Sequence, residues 1–154
     1  MKKFSVIDVL IVILLLLVIV FGFLKVKNMV SEGSSEQSVH FSVLATEVNA
    51  GTGTIISAGD RVSISLKEKA YATVIAVSET EHFEDKFNPN LKKYVSQAID
   101  GKSDIILELE CNAKISDTEI INGNVPIRVG EESYIHGKGY SLHGYIVAVD
   151  DSQN

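Results

Sequence analysis

The 154-residue chain is 45% apolar and carries Lys+Arg 14 against Asp+Glu 20, a formal net charge of −6. Lys2, Lys3, Lys25 and Lys27 against Asp8 leave residues 1–30 at +3, so the remainder carries −9, an acidic surface that repels phosphate backbones and argues against a nucleic-acid partner. One cysteine, Cys111, excludes an internal disulfide, and about 120 residues beyond the apolar start suffice for one domain with a modest core.

Residues 4–26 form the first predicted element. Between residues 9 and 24 there is no charge. At about 1.5 Å of rise per residue this run is roughly 24 Å long as a helix, and with residues 4–7 it passes about 30 Å. Only a helix satisfies its own backbone in lipid, so a transmembrane helix is expected. The basic start also suits a signal peptide, but no A-x-A-like site follows, and an uncleaved anchor is the expectation. Lys2, Lys3 and the amino terminus face Lys25 and Lys27. By a narrow count the N-terminus lies inside and the body outside the cytoplasm. Asp8 has two readings. It sits in the first turn, where the helix dipole favours an anion, or it pairs with a partner inside the membrane.

Residues 31–38, Ser-Glu-Gly-Ser-Ser-Glu-Gln-Ser, read as a flexible linker between the anchor (1–30) and a β domain (39–150), with 151–154 as a tail. Residues 39–48 alternate Val39, Phe41, Val43 and Ala45 on one face, a strand. Gly51, Gly53 and Gly59 surround a loop; Gly51-Thr52-Gly53 lacks the lysine and spacing of a phosphate loop. Val62, Ile64 and Leu66 alternate as a half-buried strand, and residues 67–69 turn it. Residues 71–77 read as a strand buried on both faces. Residues 79–85 hold four carboxylates and His82. The order lacks calcium-loop spacing and a second histidine, so a solvated acidic loop is expected and no metal site.

Asn88-Pro89 then predicts a helix start, with Leu91, Tyr94, Val95 and Ala98 as its apolar stripe and Asp100-Gly101 as its stop. Residues 104–115 are the clearest strand: Ile105, Leu107, Leu109, Cys111, Ala113 and Ile115 alternate with polar residues, and only Ile106 breaks the pattern. Cys111 therefore points into the core as packing rather than as a nucleophile. Asn122-Gly123 signals a hairpin. Residues 125–129, 133–136 and 140–149 follow as short strands.

The body repeats itself. Ile56-Ser57-Ala58-Gly59-Asp60 matches Ile127-Arg128-Val129-Gly130-Glu131. Each is preceded by a longer strand and followed by a short strand, a turn, a tyrosine and a Val-rich strand. The fold class expected is mainly β, a small barrel, read as a pseudo-two-fold duplication, with one short helix, tethered to a transmembrane helix. Gly59, Asp60, Gly130 and Glu131 are its structural turns. His40, His82, His136 and His143 stand on separate elements without the partners that catalysis needs, so neither catalytic residue nor cofactor is assigned. His136 and His143 flank the last turn.

Two resemblances remain. The start Phe4-Ser5-Val6-Ile7-Asp8 resembles a type IV pilin or pseudopilin, with Asp8 at the family's acidic position. Lys3 departs from its required small residue, and the linker interrupts the expected stalk. More of the chain resembles an uncharacterised bacterial family, domain of unknown function four-three-three-zero. The matching residues are Ile7-Asp8-Val9-Leu10, Gly59-Asp60-Arg61-Val62, Ile127-Arg128-Val129-Gly130 and Gly144-Tyr145-Ile146-Val147. That resemblance implies a single-pass membrane protein with a small extracytoplasmic body and assigns no activity. The expected function is binding or assembly with an envelope protein partner, the bilayer being engaged through the anchor. A pilin-like subunit and an envelope hydrolase are the alternatives.

Overall fold

The computed structural model describes residues 35–151, so the expected anchor, Asp8 and residues 152–154 lie outside the described residues. Among the described residues no helix is long and apolar enough to cross a membrane.

Eight strands follow in order: β1 (Ser35–Asn49), β2 (Arg61–Ser63), β3 (Tyr71–Asn88), β4 (Lys93–Ile115), β5 (Ile120–Asn122), β6 (Val125–Pro126), β7 (Glu132–Gly137) and β8 (Tyr140–Asp151). One 3-10 turn, Thr52–Ile55, lies between β1 and β2. The class is mainly β, as the alternating patterns predict. β1 pairs with β8, β8 with β7, β7 with β2, β2 with β3, β3 with β4, and β4 with β1, all antiparallel. The pairing therefore runs around a closed ring of six strands, with β5 and β6 branching from the end of β4.

The core lies inside this ring. β1 contributes Val39, Phe41, Val43 and Ala45; β4 contributes Ile105, Leu107, Leu109, Cys111 and Ala113. Both sets keep the period of two expected of half-buried strands. Ile106 breaks the sequence pattern because it faces outward, 41% exposed. Val62, Ile64, Ala72, Val74, Ile135, Leu142 and Ile146 close the core from the other strands.

Several expectations change. β1 begins at Ser35, so the second half of the expected linker, residues 35–38, pairs with residues 112–115 of β4. Leu66 lies past the end of β2 and is 61% exposed. Residues 71–77 are not buried on both faces: Ala72 and Val74 face the core while Tyr71 and Ile75 face out. The acidic stretch 79–85 is not a loop and residues 88–100 are not a helix. Both belong to one long hairpin in which β3 pairs with β4 from Phe83↔Ala98 to Asn88↔Lys93. Asn88 does cap, since its Oδ1 accepts the N–H groups of Asn90 (3.0 Å) and Leu91 (3.2 Å). Those bonds close a turn rather than open a helix. Helical spacing is a weak prior, and a facing strand that pairs the segment residue by residue overrides it.

The two Gly-acid steps have matching geometry. Gly59 N–H donates to the Val74 carbonyl (2.8 Å), Asp60 N–H to Ser57 (3.1 Å), and Val74 N–H to Asp60 (2.9 Å). Gly130 N–H donates to Ile146 (2.8 Å), Glu131 N–H to Arg128 (3.2 Å), and Ile146 N–H to Glu131 (2.9 Å). The φ angles are 92° at Gly59 and 89° at Gly130, a region that glycine adopts freely. One residue beyond each acceptor, the ladder skips a position: Ile75 in β3 against β4, and Val147 in β8 against β1.

Candidate functional site

The ring ends before the long hairpin does. Beyond the pairs Glu81↔Ser103 and Asn49↔Lys102, β3 and β4 continue as a two-stranded arm. On one face of the arm, Phe83 and Phe87 lie on β3 opposite Ala98 and Tyr94. Phe87 and Tyr94 meet edge to face at 5.5 Å. Phe83, Phe87, Leu91 and Tyr94 are all more than half exposed, Tyr94 by 70%. Residues 86–99 contain Lys86, Lys92 and Lys93 and no acid. That places +3 on the arm's outer part and leaves −12 on the rest of residues 31–154.

At the root of the arm two irregularities converge. In β1 the pairing with β4 slips between Ala45 and Val48. Glu47 occupies this bulge at φ 56°, and bulges re-aim side chains in this way. Its N–H donates to Asp104 Oδ1 at 3.1 Å, and Lys102 Nζ donates to its carbonyl at 3.2 Å. In the hairpin the β3–β4 register jumps between Glu81 and Phe83, while residue 102 pairs with Asn49 of β1. His82 sits at that jump and is only 9% exposed. Its Nδ1 lies 2.8 Å from Asp104 Oδ1. Asp104 Oδ1 already accepts the Glu47 N–H, so it is an acceptor here and His82 Nδ1 is the donor.

His82 Nε2 then points between two carboxylates. It is 4.0 Å from Glu47 Oε1 and 3.9 Å from Glu84 Oε1, is shielded from solvent, and has no hydrogen-bond partner. His82 and Glu84 share a face of β3 because they are two residues apart. Glu47, His82 and Glu84 thus bring three ligand atoms within 4.8 Å of one another, a grouping that the sequence reading, which assigned no metal site, did not contain. Spacing within residues 79–85 did not reveal it, because Glu47 and Asp104 come from other strands.

Three residues before His82 on β3, Glu79 accepts the N–H groups of Gly51 (2.7 Å) and Gly53 (3.0 Å). The Gly51 amide, with the Ser103 hydroxyl, holds the Glu79 carboxyl below its ordinary value. The glycine loop that lacks a phosphate-binding signature therefore cradles the chain's own carboxylate.

The remaining candidates are apart from one another. Cys111 is buried, and burial pushes its thiol up, consistent with packing rather than nucleophilic attack. His40 Nε2 lies 3.8 Å from Glu110, which also accepts the Ser38 hydroxyl. His143 stacks on Tyr134 with ring centres 4.6 Å apart, opposite it in the β7–β8 ladder, while His136 is opposite Ser141. Asp60 and Glu131 serve their turns: Asp60 Oδ2 accepts Ser57 N–H (3.1 Å) and the Tyr140 hydroxyl (3.1 Å), and Glu131 pairs with Arg128 Nε at 2.9 Å. A cleft of about 520 Å³ lies elsewhere, lined by Ile115, Ile120, Pro126, Ile127 and Val129 among others.

These observations define a mainly β protein whose ring of strands carries a protruding two-stranded arm. The chain belongs to the family described as Domain of unknown function (DUF4330), whose model matches residues 1–150. No curated protein and no solved structure matches it.

Proposed function

We propose that this is a single-pass membrane-anchored protein whose extracytoplasmic body is a binding or assembly module, and that the arm is its contact element. The body is read as a six-stranded barrel built from two copies of a three-strand unit, β1-β2-β3 and β4-β7-β8. What supports duplication is the matched set of hydrogen bonds at Gly59 and Gly130, with skipped residues at Ile75 and Val147. The anchor reading rests on the apolar run at residues 4–26. A pilin-like stalk has little room, since only residues 27–34 separate that run from β1.

The observation that carries the functional reading is the exposed face of Phe83, Phe87 and Tyr94, with Leu91 also exposed in the turn at the arm's end. Soluble surfaces rarely leave aromatic residues together without a partner. The occupant is a protein with an apolar groove and an acidic rim, complementary to Lys86, Lys92 and Lys93. Lipid headgroups fit less well. Asp85 lies between Phe83 and Phe87 on the same strand face, and Phe83 is about 13 Å back from Phe87 at strand spacing.

The test uses the full chain in its own membranes. The protein should stay in the pellet after alkaline carbonate extraction. On native gels of detergent extracts it should migrate in a complex that Phe87→Ser with Tyr94→Ser removes, at unchanged protein level. Release by carbonate would refute the anchor, and a complex indifferent to the double variant would refute the arm.

A further inference from the structure

We propose that Glu47, His82 and Glu84 bind one divalent transition-metal ion of the Zn2+ class, with Asp104 orienting the histidine and water completing the coordination. The argument begins with His82 Nε2. Because Nδ1–H is given to Asp104, the neutral ring turns a lone pair toward Glu47 and Glu84. A lone pair buried against two carboxylates, with no hydrogen-bond donor, is unfavourable unless a cation lies between them.

The donor types suit a borderline ion, one imidazole nitrogen and two carboxylate oxygens. Asp104 on Nδ1 is the outer partner that metal-bound histidines commonly have, fixing the tautomer and the ring plane. Zn–N and Zn–O bonds of about 2.0–2.2 Å put tetrahedral ligand atoms roughly 3.4 Å apart. The present separations of 3.9 and 4.0 Å from Nε2 therefore close by about half an ångström. Glu47 and Glu84 have the freedom for this, with side chains 65% and 46% exposed, while the histidine is held.

The site joins three strands at one point. Glu47 comes from the β1 bulge, His82 and Glu84 from β3, and Asp104 from β4. An ion there fastens the root of the arm to the ring. Its binding does not depend on what the arm contacts.

The experiment takes the full chain purified in detergent and stripped with chelator, and titrates Zn2+ by calorimetry, with Co2+ absorbance as a second probe. The expected result is one ion per chain, a rise in melting temperature, and visible Co2+ bands. Glu84→Gln and Glu47→Gln, both at exposed positions, should each weaken binding at least tenfold. Glu81→Gln, one residue from His82 but outside the ligand set, should not. His82→Ala should abolish the one-to-one binding, and its circular dichroism in chelator should match the parent's. If His82→Ala does not fold, the two glutamate variants decide. The absence of Zn2+ binding by the parent would overturn the proposal. Zn2+ binding unchanged in both glutamate variants would overturn it equally, by placing the ion elsewhere.

Discussion

Gly59 and Gly130 turn the chain at positive φ, with open space where a Cβ would stand. The cost of a side chain there is conformational rather than a clash with a neighbour, about 1–2 kcal/mol. Gly59→Val and Gly130→Val should therefore lower the stability of the protein by similar amounts, read as urea midpoints. One variant indistinguishable from the parent would separate the two turns and remove the case for duplication. Gly144 is constrained differently: a Cβ there would run into the Leu44 carbonyl of β1. Tyr140, at the start of β8, ties that strand to the turn before β2 by donating its hydroxyl to Asp60 at 3.1 Å. Burial, and then that bond, push its phenol up to about 12 from 10. The folded state thus holds the proton more tightly than the unfolded one. The stabilisation is complete below pH 10 and lost as the pH rises toward 12. Tyr140→Phe should be less stable at pH 7, and its deficit against the parent should shrink across that alkaline window in a series of denaturant curves.

The long hairpin shows how one element divides between stability and contact. Its inner half packs Val74, Leu107 and Leu109 into the core, while its outer half leaves Phe83, Phe87 and Tyr94 in solvent. Residues in the outer half bury little, so Phe83→Ser should change the melting temperature only slightly. Phe87→Ser should cost about 0.5–1.5 kcal/mol, the worth of an aromatic pair, since its ring meets Tyr94. Leu107→Ala, fully buried where β4 faces both β1 and β3, should cost about 2–5 kcal/mol. Thermal melts of the three variants check the contrast. An outer-half variant as damaging as Leu107→Ala would mean that the arm is part of the folding core and not a free contact surface.

For the whole molecule, closure governs. β1 and β8, at opposite ends of the described chain, pair with each other, and β1 also pairs with β4, so no ring strand has two free edges. Unpaired edges invite association with other chains, and a ring of strands avoids most of them. Such long-range pairing is slow to form, because the loop closure must be met before the contacts reward it. Deleting residues 140–151 should therefore abolish the cooperative melt altogether rather than lower it, because β1 and β7 each lose one of their two neighbours and the ring opens. At the other end of the chain, Asp8→Asn should leave membrane level and complex migration unchanged if Asp8 serves only the start of an anchor helix. A lost complex with insertion intact would mean pairing within the membrane.

The alternation in β1 and in residues 104–115, the repeated Gly-acid steps and the Asn122-Gly123 turn were legible in the sequence because each is a local requirement. Period two decides which side of a strand is apolar, and glycine marks where φ turns positive. Family membership was legible too, through short motifs of which two lie at those turns. The arm was not. Residues 88–100 carry a helical stripe and a capping asparagine, and only the facing residues of β3 make the same segment a strand. Nor was the histidine site. Its four residues come from three separate stretches of the chain, and no spacing rule joins Glu47 to His82, Glu84 and Asp104. A bulge in β1 and a register jump in the hairpin bring them together, and both arise only when three strands pair at once. The sequence determined the strand faces and the turns because backbone conformation and burial are local, whereas the tertiary structure alone decided which charged groups would meet.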